Sequence, residues 1–105
     1  MAVQFDSIKI IENQDGFGGS DELSLKVDGK EVWQSGGIDA GETYDLEAID
    51  SDSISEDSLV KLREDDPGVL GVNDDTVGLF TPADVDSPVP LNQGDGIYEV
   101  AFTVI

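Results

Sequence analysis

The chain contains no cysteine and no histidine among its 105 residues. Without thiols it cannot form a disulfide, a thiolate nucleophile or a zinc–thiolate site. Without imidazoles it lacks the commonest general base and the commonest ligand of transition metals. The groups that remain for chemistry are carboxylates, hydroxyls and the backbone. This inventory favours the binding of hard cations over catalysis, and we expect no enzyme.

Basic residues are also scarce, with five Lys and Arg against 24 Asp and Glu and a formal net charge of −19. A chain of this composition has too few bases to neutralise phosphates, so we expect neither nucleic acid nor an anionic membrane as a partner. Such charge also repels itself, which destabilises the compact state and favours a monomer at low salt.

No apolar run in the chain approaches the roughly 20 residues of a membrane span. The start, Met1–Asp6, has no basic leader followed by an apolar stretch, so no signal peptide is expected. The length fits one domain over 1–105, with a thin core because only 38% of the residues are apolar. We therefore expect a soluble, cytoplasmic protein.

Short runs of alternating apolar and polar residues, separated by turn residues, account for most of the chain. The pattern predicts an antiparallel β-sandwich of about six to eight strands. A phase change at Asp6-Ser7 predicts a β-bulge in the opening strand. Asp28-Gly29 predicts a tight hairpin. The apolar positions of the predicted strands are Val3, Phe5, Ile8, Ile10, Ile11, Leu23, Leu25, Val27, Val32, Trp33, Tyr44, Leu46, Ala48, Val60, Leu62, Val77, Leu79, Phe80, Tyr98, Val100, Phe102 and Val104.

Two segments depart from this pattern. Over 53–63, Ser53 and Glu56 are spaced as a capping box, and Ile54, Leu59 and Leu62 lie roughly on one helical face, so a short helix near 53–63 competes with a strand. Over 81–96, several prolines and glycines predict one long loop before the last strand.

Two acidic stretches stand beside predicted strands, at 15–21 and at 64–66 followed by 74–75. The first holds three glycines, which let a loop fold tightly and turn carbonyl groups toward a cation. If the neighbouring strand ends lie at one edge of the sandwich, five carboxylates converge and supply the six to eight oxygens that calcium requires. The predicted ligands are Asp15, Asp21, Glu64, Asp66 and Asp75, with Asp65 and Asp74 as second choices.

The two stretches carry a resemblance to a known family. The run Asp15-Gly16-Phe17-Gly18-Gly19-Ser20-Asp21, followed by Leu23-Ser24-Leu25-Lys26-Val27, resembles the first calcium loop of C2 domains. The run Leu62-Arg63-Glu64-Asp65-Asp66, with Asp75-Thr76-Val77-Gly78 after it, resembles the second half of that family's site. The resemblance covers about residues 8–80 and implies an eight-stranded antiparallel sandwich with two or three calcium ions between loops at one end. Glu22-Leu23 stands where the family usually has Pro-Tyr, and Glu64 replaces an Asp.

Apolar residues at the tips of the same loops suggest a contact surface. In many C2 domains such tips enter membranes once calcium neutralises the site. Here the net charge disfavours lipid, so the resemblance implies docking to a protein partner in which Phe17, Val69 and Leu70 take part. Packing of these tips on each other or on the protein's own surface is the interpretation that we prefer.

Other functions compete with a calcium buffer or sensor. An acidic mimic of DNA that inhibits a nucleic-acid-binding protein would spread its carboxylates in two rows. A surface adapted to high salt would carry abundant Asp with no site at all. An EF-hand over 50–61 fails, because Ile54 takes a ligand position, Ser55 the glycine position and Lys61 the position of the closing Glu.

Overall fold

A computed structural model of the protein describes residues 1–12, 22–36, 40–65, 75–93 and 96–105. These residues form two four-stranded sheets packed face to face, so the predicted β-sandwich is confirmed. The strands are β1 (Val3–Glu12), β2 (Glu22–Val27), β3 (Lys30–Ser35), β4 (Thr43–Asp45), β5 (Val60–Asp65), β6 (Asp75–Phe80), β7 (Val89–Leu91) and β8 (Ile97–Val104). Two 3-10 turns lie at Ser51–Ser53 and Pro82–Asp84.

The first sheet has the strand order β4-β1-β8-β7 and the second the order β3-β2-β5-β6, with every pair antiparallel. The inward-facing positions of both sheets make one apolar core, because alternate residues of a strand point to the same face. Its largest fully buried members are Tyr98, Phe5, Ile8, Ile10, Leu23, Leu25, Leu46, Ile54, Leu62, Val3 and Val60. Among the described residues, no helix is long and apolar enough to cross a membrane.

Two local predictions are confirmed by the backbone. The pairing of β1 with β8 shifts register between Phe5 and Ser7, which is the predicted bulge. The β2–β3 hairpin turns at Asp28-Gly29 with φ angles of 52° and 84°. Positive φ at both central residues is the geometry that matches the right-handed twist of the flanking strands.

The short helix near 53–63 does not form. Asp50, and not Ser53, caps a single 3-10 turn, its carboxylate accepting a hydrogen bond from Asp52 N. The chain then extends, and Ile54 O accepts from Val3 N at 3.0 Å. Leu59 is 50% exposed, so the apolar residues of 53–63 do not share one buried helical face. Pairing of β5 with two neighbouring strands satisfies more backbone groups than one isolated helical turn could.

The segment 81–96 is not one continuous loop. It contains the 3-10 turn Pro82–Asp84 and the short strand β7, whose buried Val89 and Leu91 flank an exposed Pro90. Pro90 lacks an N–H, but β7 is an edge strand with β8 on one side only, a place where sheets tolerate proline. Because of its prolines the sequence pattern predicted a loop here, and the strand was missed.

Candidate metal site at the strand ends

Three neighbouring strands of the second sheet bring acidic residues to the same end. β2 begins at Glu22, β5 ends at Asp65, and β6 begins at Asp75. The register places Glu22 opposite Asp65 and Glu64 opposite Asp75. Neighbouring strands are about 4.8 Å apart. The convergence of strand ends that the predicted site requires is therefore present in the backbone.

Glu64 is the best-defined residue of this end. It continues the inward-facing positions of β5 after the buried Val60 and Leu62, and it is only 4% exposed. Its backbone is paired with Leu23 on one side and with Asp75 on the other. A buried carboxylate is costly to keep ionised unless donors or a cation compensate for its lost hydration. This burial distinguishes Glu64 from the many exposed acids of the chain.

Glu22 is a further acid at this end that the sequence did not single out as a ligand. Its half-buried side chain accepts a hydrogen bond from Gln34 Nε2 at 3.3 Å. It lies directly opposite Asp65, a second-choice ligand of the sequence prediction. The signal that could have identified it is its position directly after Asp21 at the start of a strand.

The predicted ligands divide into two groups. Glu64 and the backbone of Asp75 are described, and the structure brings them together as opposite residues of β5 and β6. Outside the described residues lie the other predicted ligands and the predicted apolar tips, namely Asp15, Asp21, Asp66, Asp74, Phe17, Val69 and Leu70. Asp21 and Asp66 are each one peptide bond from a described strand end, Glu22 and Asp65 respectively.

Within the described ranges alone, no group of three or more acidic side chains is arranged to hold a metal ion. A complete cage would therefore need ligands from 13–21 and 66–74. The donor atoms at this end are all oxygens, which suit calcium or magnesium and do not suit zinc or copper. The carboxylate oxygens of the strand-end acids are ligands of the kind that hard cations bind.

Comparison with models of known protein families, with characterised proteins and with solved structures finds no match to the chain.

Proposed function

We propose that the protein binds calcium through acidic residues at this end of the second sheet. The observation that carries the proposal is the register of β2, β5 and β6, which joins acids from three strand ends. In this proposal Glu64 and Asp75 contribute from the described strands, and Asp15, Asp21 and Asp66 contribute from the adjoining segments.

Charge supports the same function. Acids held close together repel one another, and a divalent cation removes this repulsion while it binds. Five carboxylates carry ten oxygens, enough for the six to eight that calcium takes in an irregular cage, whereas magnesium demands a near-ideal octahedron. The proposed role is that of a calcium buffer or sensor in the cytoplasm. A C2-like relationship is part of this proposal, and the eight-stranded antiparallel sandwich agrees with it.

The direct test is thermal unfolding with and without calcium. Since the ion is expected to bind the folded chain only, about 1 mM CaCl2 should raise Tm, and the rise should increase with ligand excess. Sodium chloride at equal ionic strength is the control for screening. A Tm that responds equally to both salts would overturn the proposal and favour a surface adapted to salt.

The ligand assignment is tested by paired variants of equal charge change. D21N/D66N should weaken calcium binding measured by calorimetry, because two proposed ligands lose their charge. D45N/D86N changes two exposed acids outside β2, β5 and β6 and should leave the affinity within about twofold. Equal losses in the two double variants would remove the site from this end of the sheet.

A further inference from the structure

The outer face of the second sheet carries three of the five basic residues of the chain. Lys26 lies between the buried Leu25 and Val27 on β2, and Lys61 between the buried Val60 and Leu62 on β5. Arg63 follows two positions after Lys61, so alternation places all three on the face turned away from the first sheet. Each of them is half-buried. Lys26, Lys61 and Arg63 define the cationic face.

The pairing within this face is unfavourable for folding. Lys26 is directly opposite Lys61, and like charges in opposite positions of neighbouring strands destabilise a sheet. Within the part of the chain that the structure describes, neither lysine forms an ion pair with a carboxylate. On its other side Lys26 is opposite Glu31 of β3, whereas the residues opposite Lys61 are Lys26 and Leu79, so Lys61 has no acid directly opposite it. Local rules broken without a gain in stability are expected at functional surfaces.

A surface of opposite charge lies on the side of the first sheet. Residues 42–57 contain seven acids and no Lys or Arg, and all of these acids except the half-buried Glu56 are exposed. The segment is fixed to β1 by backbone hydrogen bonds, from Leu46 N to Asp6 O at 3.0 Å and from Ile10 N to Glu42 O at 2.9 Å. The acids of this acidic segment are Glu42, Asp45, Glu47, Asp50, Asp52, Glu56 and Asp57.

We propose that the cationic face docks the acidic segment of a second copy of this chain. The two surfaces belong to different sheets, and the cationic face points away from the first sheet, so one copy cannot satisfy both by itself. The contact is head-to-tail, because different patches of the two copies meet. In such a pair, the cationic face of one copy and the acidic segment of the other stay uncovered and can each bind a further copy. The exposed Leu79, opposite Lys61 on β6, adds apolar area beside the charges.

Net charge determines the conditions under which this association occurs. Two copies of charge −19 repel each other over about 30 Å at 0.01 M salt, but over only about 8 Å at 0.15 M. Contacts between opposite patches act at shorter range and are weakened only at higher salt. Association is therefore absent at low salt, greatest at intermediate salt and lost again near 1 M. The monomer that the net charge predicts at low salt is the low-salt limit of this dependence of association on salt.

The experiment is sedimentation velocity over a range of protein concentrations, in EDTA so that calcium plays no part. Wild-type chain is compared at about 10 mM, about 150 mM and about 1 M NaCl.

K26E/K61E should weaken association at the intermediate salt by about tenfold or more, since exposed charge pairs contribute up to about 1 kcal/mol each. The single variants K61E and K30E make equal changes in net charge, the first on the cationic face and the second outside it, and are the matched comparison. K26Q/K61Q repeats the test with a smaller charge change, in case the first variant folds poorly.

Charge exchange identifies the partner surface. E47K/D52K/D57K reverses three exposed acids of the acidic segment and should also lose self-association. A mixture of this variant with K26E/K61E should associate again, because the intact cationic face of the first meets the intact acidic segment of the second, and the reversed patches are also complementary. A wild-type chain that stays monomeric at all three salts, an equal loss in K30E and K61E, or a mixture that does not associate would each overturn the proposal. So would binding of a poly-glutamate peptide to the cationic face without self-association, which would assign the face to a different acidic protein.

Discussion

At the scale of single residues, Glu64 illustrates how strand alternation can bury a charge. The period of two that directs Val60 and Leu62 into the core directs Glu64 the same way at the end of β5. Burial of a carboxylate costs free energy unless donors or a cation compensate for its lost hydration. That cost is the residue-level reason to test Glu64 as a ligand.

E64Q keeps the size of the side chain and removes its charge. We expect the variant to unfold at a higher temperature than the wild type without calcium, because acid–acid repulsion at the strand ends falls. Its calcium affinity should fall beyond the 10–100-fold typical of losing an outer-shell partner of a metal. Calorimetric titration and thermal unfolding measure the two effects. E31Q, at an exposed position of β3, is the control, and an E64Q variant with the calcium affinity of E31Q would exclude Glu64 from the site.

The Lys26–Lys61 pair makes a second prediction at this scale. K61E places opposite charges across β2 and β5 and should raise the free energy of unfolding by roughly 0.2–1 kcal/mol. K9E changes net charge equally but places a carboxylate opposite Glu99, so it should lower stability by a similar amount. Urea denaturation of the two variants measures both values. Equal effects would mean that net charge, and not cross-strand pairing, governs these positions.

At the scale of elements, β7 depends on a close approach that only glycine permits. A Cβ at Gly78 of β6 would lie 2.6 Å from Leu91 Cδ2 and 2.9 Å from Leu91 Cβ. The absence of a Cβ at Gly78 lets β7 pack closely against β6. Just after β7 in the chain, Gln93 N donates a hydrogen bond to Val77 O at 2.8 Å. The two sheets are thus closed along this edge by one short strand.

G78A should lower the free energy of unfolding by roughly 1–3 kcal/mol, the usual cost of overpacking a tight core position. The control is G36A, because a Cβ at Gly36 would meet only the side chain of Glu22, at ordinary distances of 3.7 Å from Cγ and 3.8 Å from Oε1. Urea unfolding of both variants measures the difference. If G36A cost as much as G78A, the close contact with Leu91 would not be the cause.

Most elements were predictable because their signals are local. Alternation along β1, β2 and β8, the bulge after Phe5, and the Asp28-Gly29 turn all depend on residues within a few positions of one another. The prediction of a helix near 53–63 was wrong because β5 pairs with β2 and β6, and this pairing outweighs a weak capping signal. The sequence pattern does not show such pairing. β7 was missed for the converse reason. Pro90 argues against a strand locally, and only an edge position makes it acceptable.

At the scale of the whole molecule, the net charge of −19 should make stability depend on salt. Raising NaCl from about 10 mM to about 150 mM shortens the range of self-repulsion, so Tm should rise by several degrees. Scanning calorimetry measures it, and sodium sulfate at equal ionic strength is the control that separates screening from specific salt effects. A Tm independent of NaCl over this range would show that the acids are too dispersed to repel one another appreciably.

The sequence by itself determined the strand-rich class, the hairpin and an inventory of oxygen donors, since these follow from composition and from neighbours along the chain. Tertiary structure alone decided which residues face one another. Burial of the apolar faces sets the register of β2, β5 and β6, and this register joins residues tens of positions apart. It places Glu64 opposite Asp75 at one end of the sheet and Lys26 opposite Lys61 on its outer face. The acidic stretches were therefore visible in the sequence, whereas the cationic face appeared only when the strands were paired.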